Sequence, residues 1–201
     1  MPPAGRPPLS RNIYSLESPT LLVPALALLD TSFVVEALIP SQPAHEACEA
    51  FLNRLAQQPS TICFNNLLEM ELAEVVFRIA LIDRFGRNGW KTARRDGRAR
   101  RRARRLMEDA LEAWEDVLAA FSYVRVGLEE VERAVPRLMS TFGLKSYDAV
   151  HAATAMYIDV EAIVALDSDF AALPSSIALY TTPGRMATCR ERRPPRQNEP
   201  A

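Results

Sequence analysis

Two short apolar runs, Ala25 to Leu29 and Ala162 to Leu166, stop at acidic turns: Asp-Thr-Ser at 30–32 after the first, Asp-Ser-Asp-Phe at 167–170 after the second. Runs of this length suit strands, and unbroken apolarity is expected of strands covered on both faces. Between them, further strand-like runs alternate with helical stretches, a pattern that implies a parallel sheet with helices on both sides. If both runs lie in one parallel sheet, their carboxyl ends share an edge. That edge is where open α/β sheets bind ligands, and acids more than a hundred residues apart would meet there. The expected fold is a three-layer α/β/α sandwich with a central parallel sheet.

The periodicity predicts helices over 32–39, stopped by Pro40, and 44–56, stopped before Pro59. A strand fits Thr61 to Phe64. From Leu67 a helix carries Leu68, Leu72, Val75, Val76, Ile79 and Ile82 on one face, and Gly86 can end it. Residues 87–97 read as polar and broken. A helix over 99–121 follows, with Leu106, Ala110, Trp114, Val117, Leu118 and Phe121 on its apolar face. Then come a strand at 123–126, a helix at 129–142 interrupted at Pro136, an alanine-rich helix at 146–157, and last strands at 162–166 and 177–180. The expected domain spans 25–182. Residues 1–24, with Pro2, Pro3, Pro7, Pro8 and Pro19, and the Pro- and Arg-rich stretch 183–201 are expected to be disordered.

Each acid has an ordinary structural explanation. Asp30 before Thr31 and Ser32 would cap a helix, Asp167 and Asp169 are turn residues, and Asp148 falls in a first turn, where the helix dipole favours negative charge. Glu71 lies at the margin of its helix's apolar face, whereas Glu74 points away and is placed to pair with Arg78 in solvent. The set is less ordinary than its members. Converging carboxylates without Lys or Arg between them would repel, and a divalent cation would remove that cost. Oxygen-only ligation suits Mg²⁺ or Mn²⁺ and argues against zinc.

Net charge is −1, but eleven Lys or Arg residues against one acid, Asp96, lie between Arg84 and Arg105. Arg94, Arg95, Arg98, Arg100, Arg101, Arg102, Arg104 and Arg105 form a basic block suited to phosphates or to an acidic partner. Helix pairs Arg104–Glu108 and Arg105–Asp109 are the competing explanation, in the less favourable orientation. Three cysteines at unrelated spacings suggest a reducing cytoplasm. The run 20–29 ends in Asp-Thr-Ser, where a signal peptide would have a small-residue cleavage site, and no segment reaches the length of a membrane span. His45 and His151 are too scattered for an acid–base pair, and His151 reads as a packing or hydrogen-bonding residue.

Leu-Leu-Asp-Thr-Ser at 28–32, Glu71 within Asn-Leu-Leu-Glu-Met-Glu-Leu-Ala-Glu at 66–74, Tyr-Asp-Ala-Val-His-Ala-Ala-Thr-Ala at 147–155 and Val-Ala-Leu-Asp-Ser-Asp-Phe at 164–170 together resemble the PIN domain, especially VapC-type toxins of bacterial toxin–antitoxin modules. The resemblance implies a Mg²⁺- or Mn²⁺-dependent endoribonuclease, commonly a homodimer held inactive by a cognate antitoxin. By motif position Asp30, Glu71 and Asp148 take the places of the family's acids. Asp167 takes the fourth, with Asp169 a second candidate, and Thr31 or Ser32 would be the nearby hydroxyl. The chain departs from the family pattern at Ala165, at Asn65 and Asn66, and in a basic insertion over about 83–105. Two other readings are open: a housekeeping RNA-processing nuclease without an antitoxin, and a non-catalytic nucleic-acid-binding module that uses the arginine block.

Overall fold

The computed structural model describes residues 12–192. Its centre is a six-stranded, all-parallel sheet in the order β1-β6-β5-β2-β3-β4. The strands are β1 (Ile13–Ser15), β2 (Leu26–Leu29), β3 (Thr61–Asn65), β4 (Ser122–Val126), β5 (Ala162–Val164) and β6 (Ala178–Thr181). Successive strand residues face opposite sides. Ala27, Leu29, Ile62, Phe64 and Val164 join the core under one helical layer, and Leu28, Cys63 and Ile163 join the core under the other.

The first layer contains α1 (Thr31–Leu38), α2 (His45–Ala56), α3 (Leu67–Ala93) and α4 (Gly97–Ala119). On the opposite face lie α5 (Leu128–Val131), α6 (Val135–Phe142), α7 (Ser146–Ile158) and α8 (Pro183–Arg192). This is the α/β/α sandwich expected from the alternation of elements. In α7, Ala149, Ala152, Ala153 and Ala155 are all buried. Side chains this small let the helix axis approach the sheet closely.

From β2 the chain steps outward to β3 and β4, then crosses back to the other side of β2 to form β5 and β6. Connections from β2 and β5 therefore leave in opposite directions. Their carboxyl ends form a topological switch point, the site of ligand crevices in open parallel sheets. Leu29 is paired with Val164, and the Asp30 N–H donates to the Val164 carbonyl at 3.0 Å.

Both expected disordered ends are corrected in part. Residues 13–15 add a strand to β6, and the segment after them is tied down: Arg54 donates to the carbonyls of Leu16, Ser18 and Leu21, and the Tyr180 hydroxyl to that of Leu22. A three-residue strand has no period to read, and its partners are more than 160 residues away. Residues 183–192, expected in the tail, form α8, held by the buried Cys189. Residues 1–11 and 193–201 lie outside the described residues.

Gly86 breaks α3 as expected: at φ 70° and ψ 168° its backbone is non-helical, which glycine tolerates, and two helical segments meet there, the second running to Ala93. Residues 87–93, expected to be broken, are helical, and 94–96 turn the chain into α4, so that α3 and α4 form a long helical hairpin. Ala80, Leu81, Ala93, Ala99 and Ala103 form its own small core, with Phe77 and Trp90 against it. Leu106, assigned to the apolar face of α4, is 43% exposed, because the buried stripe runs through Ala99, Ala103, Ala110 and Trp114. Pro136 sits in the first turn of α6, where its missing N–H costs nothing. The strand after Glu161 stops at Val164, two residues short of expectation.

Candidate metal centre

Asp30 follows β2 and caps α1. Its Oδ2 accepts from the Ser32 N–H at 2.9 Å and from the Ser32 hydroxyl, and that hydroxyl in turn accepts from the Leu166 N–H at 2.9 Å. Ser32 thus stitches together the two acidic turns. The helix-cap role and a site role coexist at Asp30, since Oδ1 lies 3.7 Å from His151 Nε2. Burial pushes the Asp30 pKa above its ordinary value, although His151 and Ser32 pull against it.

Glu71, on the second turn of α3, accepts from the Thr31 hydroxyl at 2.7 Å and meets His151 Nε2 at 2.8 Å. His151 is buried at 1% exposure and is oriented from behind by Asn65, the last residue of β3. The Asn65 amide has one consistent orientation: Oδ1 accepts from the Leu67 N–H, and Nδ2 donates to Thr154 Oγ1 and to His151 Nδ1. That leaves Nε2–H to donate to Glu71. Burial, the largest influence, favours the neutral ring, yet Glu71, Asp30 and Asp148 together raise the His151 pKa.

Asp148 opens α7. Its Oδ2 is buried with no hydrogen-bond partner among the described residues. Burial first, then Asp167 and Asp30, push its pKa up to about 6. Asp167, after β5, accepts from the Asp169 N–H at 2.9 Å. One carboxylate oxygen from each of Asp148, Asp167 and Asp169 falls within 4.8 Å of the others. The carboxylates are not without a cation among them, as the sequence suggested: Lys145 Nζ stands 2.8 Å from Asp169, 3.7 Å from Asp167 and 3.9 Å from Asp148. These acids raise the Lys145 pKa, with the hydrogen bond to Asp169 the largest cause.

The five expected acids therefore fall into two linked groups. Asp30, Thr31, Ser32, Glu71, Asp148 and Asp167 line one crevice of about 390 Å³. Asp169 clusters with Asp148 and Asp167 but does not line that crevice. A carboxylate whose buried oxygen lacks a hydrogen-bond partner, beside two further oxygen donors, fits a hard divalent cation. Nothing in the donor set suits a soft metal.

Sequence reasoning undervalued three residues here. Lys145 and His151 lie three positions either side of Asp148, and for His151 this is one helical step on the same face. Asn65 ends β3 at the same sheet edge. Each was within reach of the spacing argument.

The basic block lies elsewhere. Every arginine from Arg94 to Arg105 is exposed on the hairpin, and none lines the crevice. Arg94 is engaged within the protein, pairing with Glu74 at 2.9 Å and stacking over Phe77 and Trp90. The expected Glu74–Arg78 pair is therefore replaced by Glu74–Arg94. Arg104 pairs with Glu108 at 2.7 Å, but no Arg105–Asp109 ion pair forms among the described residues. Asp96, the one acid of the block, caps α4 by accepting from the Ala99 N–H.

Comparison with curated proteins gives no match. A family model described as the PIN domain, a nuclease fold whose members are generally metal-dependent, matches residues 27–175 and so takes in β2 through β5 with all five acids, and the chain therefore belongs to the PIN-domain family.

Proposed function

We propose that this protein is a Mg²⁺- or Mn²⁺-dependent endoribonuclease that hydrolyses RNA phosphodiester bonds, acting as the toxin of a toxin–antitoxin pair. The observation that carries the nuclease reading is the crevice at the β2–β5 switch point, where Asp148 Oδ2 is buried without a hydrogen-bond partner among the described residues beside Asp30 and Asp167. Asp30, Asp148 and Asp167 would hold the metal, with Asp169 adjoining. A divalent cation bound there supplies Lewis-acid polarisation of the phosphate and lowers the pKa of an attacking water.

The chain's own residues contribute position and charge. Thr31 and His151 fix the Glu71 carboxylate at the wall of the crevice, where it can accept a proton from water. Asn65 orients the imidazole that donates to Glu71. Ser32 keeps the Asp30 carboxylate at one rotamer and the 166–169 turn beside it. Lys145 neutralises the outer acids and must yield part of that role when a metal enters.

The toxin assignment, the antitoxin partner and the homodimer rest on the likeness of the motifs to VapC-type toxins. The exposed arginine block offers a surface for RNA or for an acidic antitoxin segment. Buried cysteines Cys48 and Cys63, neither of them in a disulfide, accord with a reducing cytoplasm. No helix of the described residues is long and apolar enough to cross a membrane.

The test is cleavage of total RNA by the purified protein with Mg²⁺ or Mn²⁺, against EDTA and Asp30→Asn. Metal-dependent cutting absent from the variant is the expected result. A folded, antitoxin-free protein that cuts nothing under any condition would favour the binding-module reading instead.

A further inference from the structure

We infer that Arg78 and Arg185 form a two-sided clamp for the phosphates of single-stranded RNA lying across the acidic crevice, a reading that rests on the nuclease function proposed above. The two guanidinium groups come from different layers of the sandwich: Arg78 from α3, Arg185 from the first turn of α8. Both line the crevice that holds Asp30 and Asp148. Both are exposed, and among the described residues neither has an ion-pair partner within 4.0 Å, although five acids line the same crevice.

Other arginines also lack ion pairs, but among the described residues Arg78 and Arg185 are the two that line this crevice. The neighbour best placed to neutralise Arg78, Glu74 one turn earlier on α3, is taken by Arg94 across the hairpin. Arg185 stands in the opening turn of its helix, where the dipole disfavours positive charge. An anion in the crevice would offset that cost. Lys145, the other cation near the acids, is committed to Asp169, Asp167 and Asp148.

An RNA strand approaching this crevice meets ionised carboxylates, and the metal offsets only those it touches. Phosphates flanking the scissile one need cations of their own. Arginine suits the task because its planar fork binds phosphate oxygens in pairs. A crevice of about 390 Å³ is of small-ligand size, room for a nucleotide unit of a single strand and not for the breadth of a duplex. With one guanidinium on each wall, the strand would cross the metal centre between them.

The experiment measures binding of a fluorescent single-stranded RNA in Ca²⁺ across a salt series, and steady-state cleavage in Mn²⁺, for wild type, Arg78→Ala, Arg185→Ala and the Lys variants of both. Each Ala variant is expected to raise KM about tenfold, the worth of a charge-assisted hydrogen bond, with kcat changed less than about twofold. The slope of log affinity against log salt should fall by about 0.7 for each arginine removed. The Lys variants should recover the slope but not the full affinity, since lysine keeps the charge and loses the fork. Folded Ala variants that cleave and bind like wild type overturn the clamp and leave the nuclease standing. Loss of kcat at unchanged KM and slope also overturns it. A wild-type protein that neither binds nor cleaves RNA overturns the clamp together with the reading beneath it.

Discussion

Asp30 and Asp148 sit at the carboxyl edge of the sheet with side-chain exposures of 7% and 15%, while the arginines of the α3–α4 hairpin are exposed on a two-helix projection with a core of a few alanines. Both regions concentrate one sign of charge. In the crevice, burial makes that charge costly, and hydrogen bonds from Ser32, Thr31, His151 and Asn65 fix its geometry. On the hairpin, water screens the charge and most of the arginines are held by little. The comparison separates two kinds of function: chemistry needs groups whose cost has been accepted and whose positions are set, whereas long-range attraction of an anionic strand needs only number and sign.

The largest effect expected from breaking the crevice comes from Asp148→Asn. Metal-dependent cleavage should fall at least about a hundredfold, more than is usual for residues one step removed from a metal. The same variant should be more stable than wild type without metal. A carboxyl whose pKa is pushed to about 6 from 3.8 is destabilised in its ionised form at neutral pH by something on the order of 2–3 kcal/mol, which the neutral amide does not suffer. Thermal melting in EDTA at pH 7.5 checks the stability limb, and gel-based RNA cleavage the other. A variant that lost both activity and stability would mean that Asp148 is a structural helix-start residue and not a metal ligand.

Much of this crevice was legible from sequence, for a physical reason. Acids that close buried strands are confined by the sheet, so the turns after 29 and 166 had to meet once the strands were parallel. The alanines of α7 likewise announced a close approach. What escaped reading was decided by pairing over long distances. β1 is only three residues long and is defined by its partner β6. Lys145 and His151 lie three positions either side of Asp148, but which further acids they meet follows from the elements the fold brings against them. The break at Gly86 was legible, but not the second helical segment after it, which is held by the apolar contacts of Trp90 and Ala93 in the hairpin core.

A pH series sharpens the contrast next. Asp30, Asp148 and His151 all have pKa values above their ordinary ones, so the folded protein holds more protons than the unfolded chain in the windows between. Stability contributed by such groups is present at low pH and is lost as pH rises through the raised values. For Asp148 the window runs from 3.8 to about 6. Metal-free protein should therefore lose stability across it, and saturating Mg²⁺ should flatten or reverse that trend, because a bound cation favours the ionised carboxylate. Apparent Mg²⁺ affinity should fall by up to about tenfold per pH unit below pH 6 as one proton competes with the ion. Calorimetric titration of Mg²⁺ from pH 5 to 8 reads this directly. A flat affinity across that range would remove Asp148 from the ligand set. Any pH dependence of RNA binding that survives Asp148→Asn points back to His151 or Asp30.

The smallest effects should come from the hairpin. Arg98, Arg101 and Arg105 share one face of α4 by their three- and four-residue spacing, and all are exposed. Replacing any one with Ala should leave the melting temperature unchanged, since none supports the alanine core between the helices. If the block attracts RNA through its phosphates, each replacement lowers affinity by a similar factor for every sequence and reduces the salt slope by about 0.7, or about 2 for all three. Cleavage of a substrate only a few nucleotides long should be unaffected, because none of the three lines the crevice. Long and short substrates would then diverge in the triple variant, with KM rising for the long RNA alone. An unchanged salt slope would assign the block to a protein partner, and the hairpin would become the surface on which an acidic inhibitor, not the substrate, is recognised.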